Sequence, residues 1–236
     1  MVRLWRSADG TGATSDMAYQ VVQEAIVTWL LPPGQRLGEE QLARLFDVSR
    51  TPIREAILRL EAEHLAVRVP RKGLVVGEVT PQQIVDVYLV RGALDGMAAF
   101  LAAERATPAD VTRLQWIHAS FARAAAAQAA GLDELAALAE INLQFHEAIA
   151  SMSHNVVLLN HVNQIHSLVR RFRATTFSES GRPAASVIEH ERIIEAIANH
   201  DAGCARELAE QHMAIARQIR IRMLAHRLEP ATPRIG

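Results

Sequence analysis

The stretch "VSRTPIREAILRLE", residues 48–61, decides how the N-terminal third of the chain is read. Ser49 is a residue type favoured at a helix N-cap, and Pro52 falls in the first turn, where its missing N–H costs little. Ile53, Ala56, Ile57 and Leu60 recur at helical spacing and predict one apolar stripe. That stripe leaves Ser49, Arg50, Thr51 and Arg54 outward around the first turn, where backbone N–H groups and the helix dipole favour phosphate. Arg50 and Arg54 are one turn apart and can enter the same groove, and arginine suits bidentate contact with guanine.

Upstream, Glu39–Phe46 predicts a short helix. Before it, Met17, Val21, Val22, Ala25, Ile26, Trp29 and Leu30 trace a helical pattern from Asp16 to the stop "LPPGQRL". Residues 1–15 are small and polar and read as a disordered tail. Downstream, "VRVPRKGLVVGEV" places β-branched residues on either side of a basic turn, predicting a hairpin with Arg71, Lys72 and Gly73 at its tip. Two short helices and a basic hairpin describe a winged helix-turn-helix over residues 16–77, with the second helix in the major groove and the hairpin tip on backbone or minor groove.

"LARLFDVSRTPIREAILRLEAEHL…RKG", together with "LPPGQRLGEEQLA", resembles the N-terminal domain of GntR-family bacterial transcriptional regulators. The resemblance implies DNA binding through Ser49, Arg50, Thr51, Arg54 and the wing. His64 departs from it, standing where the family usually closes the recognition helix with glycine, and must take a left-handed or adjusted C-cap conformation.

Composition sets the outer bounds. The chain has 236 residues, 50% of them hydrophobic and 22% charged, with a formal charge of −1. That fits one large or two modest globular domains, and its alanine content leans towards helix. A near-zero charge leaves nucleic-acid binding to a local patch. Cys204 is the single cysteine, which excludes an internal disulfide or cysteine-based zinc site and fits a reducing compartment; it is expected to be semi-buried. No secretory pattern and no apolar run of about 20 residues is present, so a cytoplasmic protein that does not enter a membrane is expected.

From Thr80 and Pro81 the character changes. Segments of helical period, punctuated at "ATPAD", "AAGLDE", "MSHN", "SESGRP" and "NHDAG", predict about six helices with no strand up to about Leu228. The expected fold is mainly α: the winged unit, an antiparallel helical bundle over 78–229, and a tail at 230–236. "VYLVRGALDGMAAFLAAERAT", "NLQFHEAIASMSHN" and "VIEHERIIEAIANHDAGCARELAEQHM" resemble the FCD-type effector domain of the FadR subfamily. The resemblance implies a divalent metal held by one Asp and three His, with a small carboxylate effector beside it.

The histidines can be placed by geometry as well. "NHDAG" reads as a tight turn near Asp201, with His190 eleven residues before it and His212 eleven after. In an antiparallel hairpin both rings then lie ~16 Å from the turn, at one height. His190 shares a stripe with Ile193, Ile194 and Ile197; His212 shares one with Leu208, Ile215 and Ile219. Asn142 and His146, one turn apart on another helix, would complete a four-ligand site. Asn142 replaces the family's Asp and offers only a neutral amide oxygen, so binding of zinc or nickel is expected but weakened.

Arg91, with Asp95 one turn on, matches the family's first-helix arginine and could clamp an effector carboxylate; Arg170 and Arg173 could line the same cavity. His118, His154, His161, His166, His200 and His226 receive no role. The reading is a ligand-responsive regulator, expected to be a repressor, acting as a homodimer on a pseudo-palindromic operator. A metal-dependent enzyme built on His146, His190 and His212 is the alternative, against which no His-Glu-x-x-His or Gly-x-Ser-x-Gly pattern is present. A purely structural dimer with an empty cavity is the third reading.

Overall fold

A computed structural model describes residues 1, 5, 14–28, 30–78, 80–127, 131–170 and 175–228, the side chains of 27, 132 and 224–228 excepted. The described chain divides into two compact units, one of residues 1–79, with which Arg170 is grouped, and one of the remaining residues from Thr80 onward.

In the N-terminal unit, α1 (Thr14–Val27), α2 (Glu39–Phe46) and α3 (Arg50–Ala62) precede a hairpin of β1 (Ala66–Val69) and β2 (Gly73–Val76). The apolar stripe of α3 is where the 3.6-residue period puts it: Ile53, Ala56, Ile57 and Leu60 are buried against Val22, Ile26, Leu42 and Phe46. The hairpin is antiparallel, with Ala66 opposite Val76 and Val69 opposite Gly73. Its connection, Pro70–Lys72, turns on Arg71 at φ 64 and Gly73 at φ 79. A bridge from Arg36 to Val75 adds an edge not foreseen in the sequence. The N–H of Leu37 donates to Leu74 and that of Gly34 to Val76, so "GQRL" occupies a strand position with too few residues to show a period.

Several boundaries moved. Helix α1 stops at Val27 rather than Leu30, which is exposed, and it begins at Thr14, inside the expected tail. Trp5 also fails the tail reading, because its ring stacks on Phe46 at 4.5 Å and 10°. An aromatic side chain with a core ring within reach gains buried area by stacking on it. His64 adopts φ 56, the left-handed conformation expected after α3. Residues 230–236 lie outside the described residues.

The second unit holds six α-helices among the described residues: α4 (Pro81–Arg105), α5 (Pro108–Ala126), α6 (Leu132–Met152), α7 (Val156–Arg170), α8 (Arg182–Ala198) and α9 (Ala202–Leu228). A 3₁₀ turn, Thr176–Ser178, lies ahead of α8. Thr80 and Thr107 each cap a helix reciprocally with the residue at N3, Gln83 and Asp110, and each is followed by proline. Both starts are therefore fixed by local chemistry. The core combines small and large residues: Ala98, Ala99, Ala102 and Ala103 on α4 face Phe145, Ile149, Ile193 and Ile197. The most extensive packing joins α4 to α9. Gly92 and Gly96 sit on that seam, and a Cβ on Gly96 would stand 2.6 Å from Glu210 Cγ. The glycine thus leaves room for the Glu210 side chain on this seam.

Candidate metal centre and DNA-reading surface

On the N-terminal unit, Ser49, Arg50, Thr51, Arg54, Arg71, Lys72 and Gly73 are all exposed. Ser49 is the N-cap of α3, but its hydroxyl makes no capping bond. The first turn of α3 thus offers backbone donors and a hydroxyl to an incoming phosphate. Glu39, at the start of α2, is a feature the sequence reading missed. Its Oε2 lies 3.3 Å from Arg54 Nη2 and 3.8 Å from Arg50 Nη2, so one carboxylate lies beside both arginines expected to read DNA. The signal lay in Glu39 opening α2, yet nothing in the sequence sets the crossing of α2 and α3 that brings it there.

In the helical unit, His146 on α6, His190 on α8 and His212 on α9 converge, and one ligand atom from each lies within 4.8 Å of the others. The rings of His190 and His212 are 4.8 Å apart, and His146 stands 5.6 Å and 5.3 Å from them. The stripe of α8 is as expected, with Ile193, Ile194 and Ile197 buried. That of α9 is met in part: Ile219 is buried and Leu208 packs half-buried on the core, but Ile215 is 40% exposed and Ala209, Met213 and Ala216 take its place beside His212. Asn142 lies one turn before His146 on the same face and is nearly buried.

His190 is fully buried, stacked on Phe145 at 4.0 Å and 12°, and neither of its ring nitrogens has a protein hydrogen-bond partner. His146 Nε2 and Asn142 Oδ1 are also buried without a protein partner. His212 differs. Its Nδ1 is in close contact with Glu189 Oε2, so that nitrogen carries the proton and donates, leaving the Nε2 lone pair available. Arg182 Nη1 donates to the other oxygen of Glu189 at 2.6 Å. Burial pushes the Glu189 carboxyl up, but hydrogen bonds from His212 and Arg182 outweigh it and hold it at about 2. Burial, reinforced by neighbouring imidazoles and guanidinium groups, pushes His146 and His190 well down; His212 is also lowered by burial, against the pull of Glu189. Neutral imidazoles with free lone pairs, one fixed by a carboxylate on its far side, form a donor set suited to zinc or nickel.

Arg91 is buried and pairs with Asp95 at 3.2 Å, while Asp95 lies 3.7 Å from His146 Nδ1. Burial raises the Asp95 carboxyl, and Arg91 opposes it. Arg170 ends α7 with an exposed side chain and is no part of the buried cluster. The helix stays buried to its last turn through Leu158, Val162, His166 and Val169, a face that Arg170 does not share. Arg173 lies outside the described residues. Missed by sequence reading were Arg182, Ser186 and Glu189 on α8, and the buried rings of His118, 5.9 Å from His190, and His166, 6.4 Å from His146. Arg182 and Ser186 stand eight and four residues before His190, a spacing that put them on its face. Cys204, expected to be semi-buried, is exposed in the first turn of α9.

A winged helix-turn-helix reader joined to a helical unit with a buried polar cluster defines a DNA-binding transcriptional regulator. Residues 14–76 match bacterial regulatory proteins of the gntR family, and residues 86–215 match the FCD domain. The chain belongs to the GntR family, in the group carrying an FCD domain, and is not an enzyme. It is 28% identical over 195 residues to the HTH-type transcriptional regulator YdhC of Bacillus subtilis, covering 83% of this chain and 84% of that one. It is 25% identical over 204 residues to the HTH-type transcriptional repressor RspR of Escherichia coli, covering 86% and 87%. The fold is shared with E. coli McbR/YncC, at TM-score 0.66 and 23% identity over 92% of this chain and 99% of that one. It is shared also with Lar, which controls expression of the Listeria monocytogenes agr system, at TM-score 0.58, 22% identity and 94% and 100% coverage. No helix among the described residues is long and apolar enough to cross a membrane.

Proposed function

We propose that this regulator is a metal-dependent repressor released from its operator by a small carboxylate. The observation that carries the reading is the convergence of His146, His190 and His212, with buried nitrogens that no protein group satisfies. Unpaired polar atoms in a core are costly, and a cation that all three can share removes that cost. Asn142 Oδ1 is placed to join the set. When bound, the ion supplies a Lewis-acid site for a carboxylate oxygen, and Arg91, with Nη2 unpaired, offers the complementary charge. Repression is favoured because RspR, similar over most of its length, is named a repressor. The protein works in the cytoplasm as a homodimer, which sets two α3 helices on two half-sites.

The test combines thermal shift with gel shift. Zinc or nickel raises the melting temperature of chelator-stripped protein, and a carboxylic acid from a small panel lowers affinity for DNA upstream of its own gene. No shift with either metal refutes the metal reading. DNA affinity that ignores every acid refutes the effector reading.

A further inference from the structure

Among the described residues, the arginines and lysine of the N-terminal unit fall into two groups. Arg44 lies beside Glu40, Arg50 and Arg54 beside Glu39, Arg59 beside Asp16 and Arg68 beside Glu61. Arg36, Arg71 and Lys72 are exposed, and their side chains have no ion pair or hydrogen bond among the described residues. Strand register brings these three together. Arg71 and Lys72 lie in the hairpin connection, and Arg36 is bridged antiparallel to Val75 of β2. Residues directly opposite in such a pair project to one face, and Gly73, two residues from Val75, shares that face. The Arg36 side chain follows it to the end of the hairpin: Nη2 and Nε lie 3.6 Å and 3.8 Å from where a Cβ on Gly73 would stand. Val75 is buried yet stands outside the core cluster of the unit, on the face that Arg36 shares. An arginine laid along apolar surface with its head in water is partly ordered already and loses less freedom when that head meets a ligand.

A duplex presents rows of phosphates, and cations that neutralise them release condensed counterions. An arginine that already has a carboxylate beside it exchanges one anion for another and gains less. The uncompensated charge of this unit therefore gathers at the hairpin, while Arg50 and Arg54 share Glu39. We propose that Arg36 contacts the DNA backbone, forming with Arg71 and Lys72 a three-cation phosphate clamp on the wing. Its planar fork suits two oxygens of one phosphate. Phosphate contacts position the protein and carry no sequence information, so the clamp supplies affinity for any duplex and leaves discrimination to α3. Nothing in the residue pattern around Arg36 gives it this place, because the bridge to Val75 is what turns its side chain towards the tip.

The experiment measures binding of the full-length protein to a random-sequence duplex by fluorescence anisotropy, in salt from about 50 to about 200 mM. Arg36→Gln removes the charge and keeps a long polar side chain. The slope of log affinity against log salt falls by about 0.9 for each subunit bound, so the advantage of the parent shrinks about 3.5-fold per subunit across that range. Arg36→Lys keeps the charge and restores the slope. In competition between the random duplex and DNA upstream of the protein's own gene, Arg36→Gln changes the preference by less than about threefold. A slope that falls by less than half the expected amount overturns the proposal. A larger change in preference overturns it as well, since it would make Arg36 a reader of bases. An arm on the parent chain needs no variant to fold: phenylglyoxal modification read by peptide mass spectrometry. The duplex protects Arg36 there, and equal modification with and without DNA overturns the contact.

Discussion

Replacing His190 by leucine should make the chelated protein more stable and the metal-loaded protein comparatively less so. His190 is fully buried with both ring nitrogens unpartnered. An unsatisfied buried polar group costs about 1–3 kcal/mol, so two of them amount to about 2–6 kcal/mol that an apolar side chain of similar volume removes. Against this, the stack on Phe145 at 4.0 Å is lost, worth about 0.5–1.5 kcal/mol. The net expectation in chelator is a gain of about 0.5–5.5 kcal/mol. Metal works the other way. At a hundredfold excess over its dissociation constant it stabilises the parent protein by about 2.7 kcal/mol and the variant, with two imidazoles left, by almost nothing. Urea denaturation followed by far-ultraviolet circular dichroism, with chelator and with excess zinc, reads both arms as shifts in midpoint. A variant less stable than the parent in chelator would sink the claim that these nitrogens lack partners. Equal stabilisation of both proteins by zinc would sink the claim that His190 holds the metal.

Other perturbations probe the remaining elements. Gly96→Ala should destabilise the bundle by about 1 kcal/mol, because overpacking against Glu210 costs about 1–3 kcal/mol and helix propensity returns about 0.5–1. In a Glu210→Ala background, calorimetry should find the same substitution stabilising. Glu39→Gln frees Arg50 and Arg54 from their shared carboxylate and should tighten binding to random-sequence duplex, with a salt slope steeper by about one; unchanged affinity would mean the contact is idle. Arg54→Ala should lose about 1–3 kcal/mol of sequence discrimination in competition gel shifts while circular dichroism and zinc response stay intact. His64→Gly relieves a left-handed side chain at φ 56 and should raise the stability of the N-terminal unit by about 0.5 kcal/mol, measured by urea titration.

Local chemistry was legible wherever a residue type determines its own surroundings. Thr80 with Pro81 announced a helix start and "ATPAD" a break between helices, and the stripe Ile53–Leu60 placed α3 and thereby the exposure of Arg50 and Arg54. His190 and His212 could be brought together because a short turn makes two helices antiparallel and equal spacing then sets equal height. What depends on the angle between helices was not legible. Glu39 reaches Arg54 across α2 and α3, and Glu189 reaches His212 across α8 and α9, through crossings that no periodicity encodes. The face of α9 was misjudged at one position: Ile215 turns outward, while Ala209, Met213 and Ala216 are buried with His212 and Ile219. Arg170 was placed by its neighbours in sequence and not by the end of its helix.

The close seam between α4 and α9 also governs when the protein becomes competent. About a hundred residues separate the end of α4 from the start of α9, which at ribosomal rates of about 5–20 residues per second is several seconds of synthesis. Through that interval the largest packing surface of α4 waits for its mate, and His212, which arrives with α9, is missing from the cluster. The core of the N-terminal unit is built from residues within the first 79. Translation therefore completes the DNA-reading unit before the helical unit can close on α9.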